Sequence, residues 1–301
     1  MGSRRLPDVR LPVLRLVAIV SFLDEERVLP ALLDSIAAQT RPPDRLLLVD
    51  DGSRDGSAAL AETFARRHDF ASVLRRPVRP AEADRLATAA ELRAFNWAVG
   101  TLDEPWELVA KLDADLSLPP KTLASVEARF RDDPYLGITG PRLRSLDEAG
   151  RDVSHRTRPE HVEGAVKFYR RECLEQIAPI PPILGWDTID EVRARMRGWR
   201  TAGGSPAEAP VLHVRPMGAR DGAIRAHRRW GACAYAYGEH PLYALAMGVR
   251  QLPERPRVVG GLSYVAGWTL AALRRAPRAE PELRSYVRRT QLRRVRQRLA
   301  G

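Results

Sequence analysis

Three short apolar runs in the first 115 residues each stop abruptly at a cluster of carboxylates, with helical periodicity between them. The run LRLVAIVSF at residues 14–22 gives way to LDEE, and Val28, Leu29, Leu32, Leu33 and Ile36 then recur at helical spacing. A second run, Leu46 to Val49, closes on DDGSRDGS, and Leu60 and Phe64 mark the next helix. Ser72 to Leu74 reads as a third strand ahead of a basic, proline-bearing loop. Residues 83–99 read as a helix, and WELVAKL at 106–112 as a strand ending in Asp-Ala-Asp. Continuous apolar strands alternating with amphipathic helices predict an α/β fold with a mostly parallel sheet buried on both faces.

Ligands of such sheets lie outside the carboxyl ends of the strands. Here those ends carry carboxylates, a poor lining for a bare phosphate unless a cation lies between. Asp113 and Asp115, two apart at a strand end, can approach one ion, and hard carboxylate oxygens suit Mg²⁺ or Mn²⁺. The pattern points to a metal-bridged phosphate.

Further along, residues 164–171 read as a strand, 187–197 as a helix stopped by Gly198, and 211–215 as a short strand. Past Trp230 the chain turns apolar, Gly-rich and then strongly basic. It divides into a catalytic unit at 1–225 and an apolar, Arg-rich helical extension at 226–301. Of a net charge of +11, residues 274–301 carry ten Arg against two Glu. A tail of this charge suits an anionic membrane surface. It lacks the interleaved aromatics of single-strand binders, so no nucleic-acid partner is expected. Two short apolar segments, 241–249 and 258–273, precede it. The longer would rise about 24 Å as a helix against roughly 30 Å of hydrocarbon, which predicts a peripheral position rather than a span. Two cysteines without CxxC spacing exclude a disulfide scaffold and a zinc site of that type. The first apolar run, broken by Arg15 and followed by acidic residues, does not read as a signal peptide. The expected location is cytoplasmic, peripheral at the inner face of a membrane.

Taken in order, VAIVSFLDEE, LLLVDDGSRDGS, KLDADL and GWDTIDEVRARMRGW resemble the inverting family 2 glycosyltransferases of the GT-A fold, over residues 12–230. The resemblance implies a Rossmann-like transferase fold, a divalent metal, a nucleotide-diphosphate sugar donor and a saccharide or lipid-linked acceptor, in cell-surface polysaccharide or glycolipid synthesis. Where the family has Pro-x-x-Asn-Glu after its first strand, this chain has Ser21, Phe22, Leu23, Asp24 and Glu25. The implied nucleotide contacts fall on Ser21, Leu23 and Glu25. Val49 to Ser53 keep the Val-Asp-Asp-Gly-Ser pattern, so Asp51, with Asp50 second, is the implied partner of the donor base. Asp113 then contacts the sugar nucleotide and the metal, Asp115 ligates the metal, and His213 in VLHVRPMG stands where several such enzymes supply a third ligand.

The family's catalytic base opens a helix that ends in Gly eleven residues later, the interval from Asp187 to Gly198. Trp186 stands where a Glu usually precedes that base, which leaves Asp190 and Glu191 as alternatives. Asp187 also suits a helix N-cap, with Asp190 imitating a capping box. RAHRRWG at 225–231 partly matches the end of the Gln-x-x-Arg-Trp motif of polysaccharide synthases. That match implies Arg229 on the diphosphate and Trp230 on the acceptor sugar, with Trp186 a second acceptor-side aromatic. His155 and His161 have no comparable context. A nucleotidyltransferase is the nearest rival, but the acidic SFLDEE stands where it would need a Gly- and Lys/Arg-rich loop.

Overall fold

The computed structural model describes residues 14–77, 84–85, 88–146, 150–152, 158–215, 222–253 and 256–300. The first part alternates β1 (Leu16–Phe22), α1 (Leu29–Ala37), β2 (Arg45–Asp50), α2 (Ser57–Ala65), β3 (Ala71–Arg75), α3 (Ala90–Val99) and β4 (Leu108–Asp113), as the periodicity predicts. Helix α3 starts later than residue 83, and most of the basic loop before it lies outside the described residues, as does His155. There follow β5 (Leu116–Ser117), α4 (Thr122–Asp132), β6 (Leu136–Thr139), β7 (Leu143–Ser145), β8 (Val166–Arg170), α5 (Arg171–Ile177), α6 (Trp186–Met196), β9 (Arg200–Ala202) and β10 (Val211–His213).

Seven strands form one sheet in the order β3-β2-β1-β4-β8-β6-β9. β3, β2, β1 and β4 are parallel, β8 runs against both its neighbours, and β9 is parallel to β6. The chain steps outward from β1 to β3 and returns through α3 to β4. The carboxyl ends of β1 and β4 therefore flank a topological switch point, where a crevice opens. Ser21 stands there in register with Asp113. Side chains alternate across the sheet. Leu16, Ala18, Val20 and Phe22 pack with α1, α2 and α4, whereas Val17 and Ile19 pack with α3, α5 and α6. A small second sheet, β5-β10-β7, sits just past β4.

The C-terminal helices are α7 (Gly222–Tyr237), α8 (Pro241–Gln251), α9 (Val259–Leu273) and α10 (Pro281–Ala300). The expected boundary at 225/226 falls inside α7. Helices α7 and α9 meet backbone to backbone: a Cβ on Gly231 would stand 1.9 Å from the Tyr264 carbonyl oxygen, and one on Gly267 1.9 Å from that of Arg228. The basic tail is not a free arm. Leu283 and Val287 of α10 pack on Ile189 and Val192 of α6, and ion pairs join Arg193 to Glu280 and Arg294 to Glu160. Among the described residues no helix is long and apolar enough to cross a membrane.

Candidate active site

β4 delivers Asp113 to the crevice, and the chain turns through Ala114 into β5. Antiparallel pairing of β10 with β5 sets His213 opposite Leu116, and the Val214 N–H donates to the Asp115 carbonyl at 2.8 Å. His213 Nε2 thereby comes within 3.1 Å of Asp115 Oδ1. Arg215 lies 3.7 Å from Asp115 Oδ2 and ion-pairs with Glu25, the last residue of the first-strand motif. Three sequence-predicted residues, Glu25, Asp115 and His213, are thus joined by Arg215, to which the sequence assigned no role.

The electrostatics follow from burial and pairing. Burial would raise the Asp115 carboxyl, but the His213 hydrogen bond and charge, with Arg215, hold it below its ordinary value. Burial would lower His213, and the bond to Asp115 with the charges of Asp115 and Asp113 raises it instead. Asp113 is raised by burial beyond what Lys111 offsets. Lys111 donates to Asp113 and, at 2.8 Å, to the Gly164 carbonyl.

Among the described residues no three His, Cys, Asp or Glu side chains gather so as to hold a metal ion, and the candidate ligands are the pair Asp115 and His213. Asp115 and His213 offer carboxylate oxygens and an imidazole, and His213 Nδ1 is buried without a hydrogen-bond partner. A carboxylate with an imidazole fits a hard divalent cation such as Mg²⁺ or Mn²⁺, which Asp115 and His213 would hold and which would supply positive charge beside a bound anion.

Helix α6 starts after Gly185 (φ 75°) and stops before Gly198 (φ 89°), left-handed positions that glycine adopts without strain. Asp187 lies in its first turn, half-buried, against Gly164: a Cβ there would stand 3.1 Å from Asp187 Cβ and 3.3 Å from Oδ2. The Asp113 N–H donates to the Ala165 carbonyl at 2.9 Å. The loop residues Gly164 and Ala165 therefore link the strand end that carries Asp113 to the first turn of α6 that carries Asp187.

The alternatives to Asp187 are corrected. Asp190 and Glu191 are 0% and 1% exposed and saturated by neighbours. Lys167 Nζ lies 3.0 Å from Asp190 Oδ1 and 3.4 Å from Glu191 Oε1, and the Tyr169 hydroxyl donates to Asp190 at 2.7 Å. Glu191 accepts from the Val162 N–H at 2.7 Å and pairs with His161 at 3.1 Å. Burial lifts the Asp190 carboxyl, while Lys167 and His161 hold Glu191 low against burial. Both carboxylates are thus enclosed by protein groups, whereas Asp187 is half-buried.

Trp186 is also corrected as an acceptor surface. It is buried, its Nε1–H donates to Glu91 at 3.2 Å, and Lys111 and Lys167 stand 5.2 and 5.5 Å from its ring centroid. These two lysines were missed in the sequence. The available signal was their rarity, since the chain has only three Lys against 46 Arg and two of them interrupt apolar strands.

Helix α7 passes the start of α6. A Cβ on Gly185 would stand 3.1 Å from the Cys233 carbonyl oxygen. Burial pushes the Cys233 thiol up to about 12, with Asp187 adding to the rise and Arg229 opposing it, so both charges are felt at this thiol. Arg229 Nη2 lies 3.3 Å from Asp84. Trp230 is half-buried, its ring 4.6 Å from that of His227, beside Ala234, Ala244 and Tyr264. This packing ties Trp230 to the helical extension and leaves part of its ring open.

At the other end of the crevice, the Asp50 carboxylate accepts from the Gly52 and Ser53 N–H groups at 3.2 and 2.8 Å and so shapes the loop. Asp51 lies between Arg76 and Arg85. Those arginines flank the basic loop after β3 and carry no motif. Asp24 adopts φ 55°, a left-handed position that Asp and Asn tolerate, and accepts from the Arg54 N–H at 2.7 Å. The Ser57 hydroxyl accepts from the Glu25 N–H at 2.8 Å. The loops after β1 and β2 are thus tied together, with Ser21 and Leu23 half-buried beside them.

Residues 17–180 match the family model described as Glycosyl transferase family 2. No curated protein matches the chain in sequence. Among solved structures, the mannosyltransferase PcManGT from Pyrobaculum calidifontis, in complex with GDP-Man and Mn²⁺, is similar at a TM-score of 0.52 and 18% identity, over 91% of this chain and 83% of that one. Residues 1–349 of TarS from S. aureus give a TM-score of 0.51 and 17% identity, over 85% and 71%. GalNAc-T7 with UDP, GalNAc and Mn²⁺ gives 0.55 and 14%, over 88% and 56%. At such identities the likeness shows the fold, and it is the GT-A fold that the sequence motifs imply.

Proposed function

This chain belongs to glycosyl transferase family 2, and from that premise we propose that it moves a sugar, with inversion, from a nucleotide-diphosphate donor to a saccharide or lipid-linked acceptor. The observation that carries the reading is the link, through Gly164 and Ala165, of the Asp113 strand end, beside the pair of Asp115 and His213, to the helix start that bears Asp187. Asp115 and His213 would hold Mg²⁺ or Mn²⁺, whose charge offsets the charge growing on the diphosphate leaving group.

The remaining chemistry rests on side chains. Asp51 takes an N–H of the donor base, and Ser21, Leu23 and Glu25 border the nucleotide. Asp113, held by Lys111, orients the sugar nucleotide. Asp187 accepts the proton of the acceptor hydroxyl as that oxygen attacks the anomeric carbon from the face opposite the diphosphate, and a single displacement inverts the centre. Lys167 donates to the Asp187 carbonyl at 2.5 Å and fixes the turn that presents this carboxylate. Arg229 faces the diphosphate, where a guanidinium suits phosphate oxygens. The setting is cytoplasmic and peripheral to the membrane, in the synthesis of cell-surface polysaccharide or glycolipid.

Nucleotide release from UDP-, GDP- and dTDP-sugars, measured with Mn²⁺ and with EDTA, tests the reading together with the anomeric configuration of the product by NMR. Metal-dependent release from one donor and an inverted product are expected. Retention of configuration, or full turnover in EDTA, would overturn it.

A further inference from the structure

Helices α8 and α9 expose much of their leucine and valine. On α8, Leu242, Leu245, Ala246 and Val249 are exposed at helical spacing, and on α9 so are Val259, Leu262, Ala266 and Leu273. Leu242, Leu245 and Leu262 are 71%, 53% and 61% exposed. Of the twelve exposed large hydrophobic side chains among the described residues, seven fall between 242 and 273, so the exposure is concentrated rather than scattered. The inward faces combine glycines with aromatics: a Cβ on Gly261 would stand 2.2 Å from the Gly248 carbonyl oxygen, and Ala244 is buried with Tyr264, against which Trp268 packs.

The charge at the margins is of one sign. Residues 241–275 hold five Arg and one Glu, and Arg250, Arg257, Arg274 and Arg275 are exposed at the helix ends. An apolar stripe ended by arginines complements acyl chains beneath anionic headgroups. The 15 residues of α9 rise about 22 Å, short of the roughly 30 Å of hydrocarbon, so the pair lies in the surface.

We propose that the outer face of α8 and α9 seats this enzyme on an anionic lipid bilayer. The seat is coupled to the site, because α9 touches α7 through Gly267 and Gly231, and α7 carries Cys233 against the start of the helix that bears Asp187. A lipid-linked acceptor, presented at the same surface, is the acceptor class that follows. Only this choice of acceptor rests on the proposed function, and vesicle binding is read without turnover.

The test is co-sedimentation of the full chain with vesicles of phosphatidylcholine alone and of phosphatidylcholine mixed with phosphatidylglycerol, at low and high salt. Preferential recovery on the mixed vesicles, weakened by salt, is expected. The exposed-site variant Leu242→Ser/Leu245→Ser/Leu262→Ser should keep the wild-type melting temperature and lose about tenfold or more in vesicle affinity. Arg250→Gln/Arg257→Gln should flatten the salt dependence. Equal recovery on both vesicle types, or equal recovery of wild type and the leucine variant, would overturn the proposal. So would a concentration-dependent dimer that the leucine changes dissolve without any vesicle binding, since a second copy would then own the face. Vesicle binding by a protein that hydrolyses no nucleotide sugar would sink the functional reading and leave this one standing.

Discussion

His213 and Asp115 are 98 residues apart in sequence, and the pairing of β10 with β5 brings their side chains to 3.1 Å. Two strands of two and three residues thereby assemble this pair at the end of β4.

The first prediction follows from that pair. Asp115→Asn keeps the shape and removes the charge that would hold a cation, and His213→Ala removes the imidazole. Each should lower Mn²⁺-supported nucleotide-sugar affinity by about tenfold or more, while affinity measured in EDTA stays at the wild-type level. Calorimetric titration of donor under both conditions checks it, and an Asp115→Asn protein with unchanged metal-supported affinity would remove Asp115 from the metal site.

A second prediction separates the acidic residues of α6. Asp187→Asn should leave donor binding intact and slow the chemical step by about 10² to 10⁴-fold, the usual contribution of a general base. Asp190→Asn should act on stability, because it leaves Lys167 buried beside a single remaining carboxylate, and breaking such a pair costs about 3–5 kcal/mol. Single-turnover kinetics and urea unfolding on both variants decide the matter. An Asp190→Asn protein of normal stability but lost turnover would reverse the assignment.

The parts of this arrangement that could be read from the chain are those set by local periodicity. Asp50 and Asp113 end apolar strands, and strand ends in a parallel sheet are where ligands bind, so their placement needed only the alternation of runs. Asp187, Asp190 and Glu191 lie three and four residues apart, on one side of a helix, so spacing could not rank them. The choice came from depth, with Asp187 on the first turn beside Gly164 and the other two beneath it. The tail's positive charge did not reveal its docking, because the partners of Glu280 and Arg294, which are Arg193 and Glu160, are recognisable only once α10 lies on α6. Trp186 suggested a sugar platform because an aromatic next to a base usually meets substrate. Its actual neighbours, Lys111 and Lys167, reach it from strands 75 and 19 residues away in sequence.

pH should act on stability through His161. Burial would lower its pKa, but the charge and hydrogen bond of Glu191 raise it from 6.5 to about 9. A group raised on folding contributes fully below its unfolded value and loses that contribution as pH rises through its folded value. The wild-type melting temperature should therefore fall between about pH 7 and about pH 10 relative to that of His161→Gln, and the two curves should converge at the alkaline end. Parallel curves across that window would show that the histidine is not charged in the folded protein.

The backbone contact of α7 with α9 gives the fourth prediction. Gly267→Val places a branched side chain where a Cβ alone would meet the Arg228 carbonyl oxygen. Overpacking of this kind costs about 1–3 kcal/mol or more. Limited proteolysis should cut the variant after residue 222 at concentrations that leave the wild type whole, and an unchanged digestion pattern would contradict the close approach.

The docking of α10 on α6 has a consequence for biosynthesis. Leu283, Val287 and Glu280 support the helix that bears Asp187, yet they are synthesised well after it, whereas the parallel strands β1 to β4 precede it in the chain and can pair earlier. A nascent chain can thus pair β1 to β4 while α6 still lacks its outer support, and Asp187 reaches its final setting only once α10 has been made.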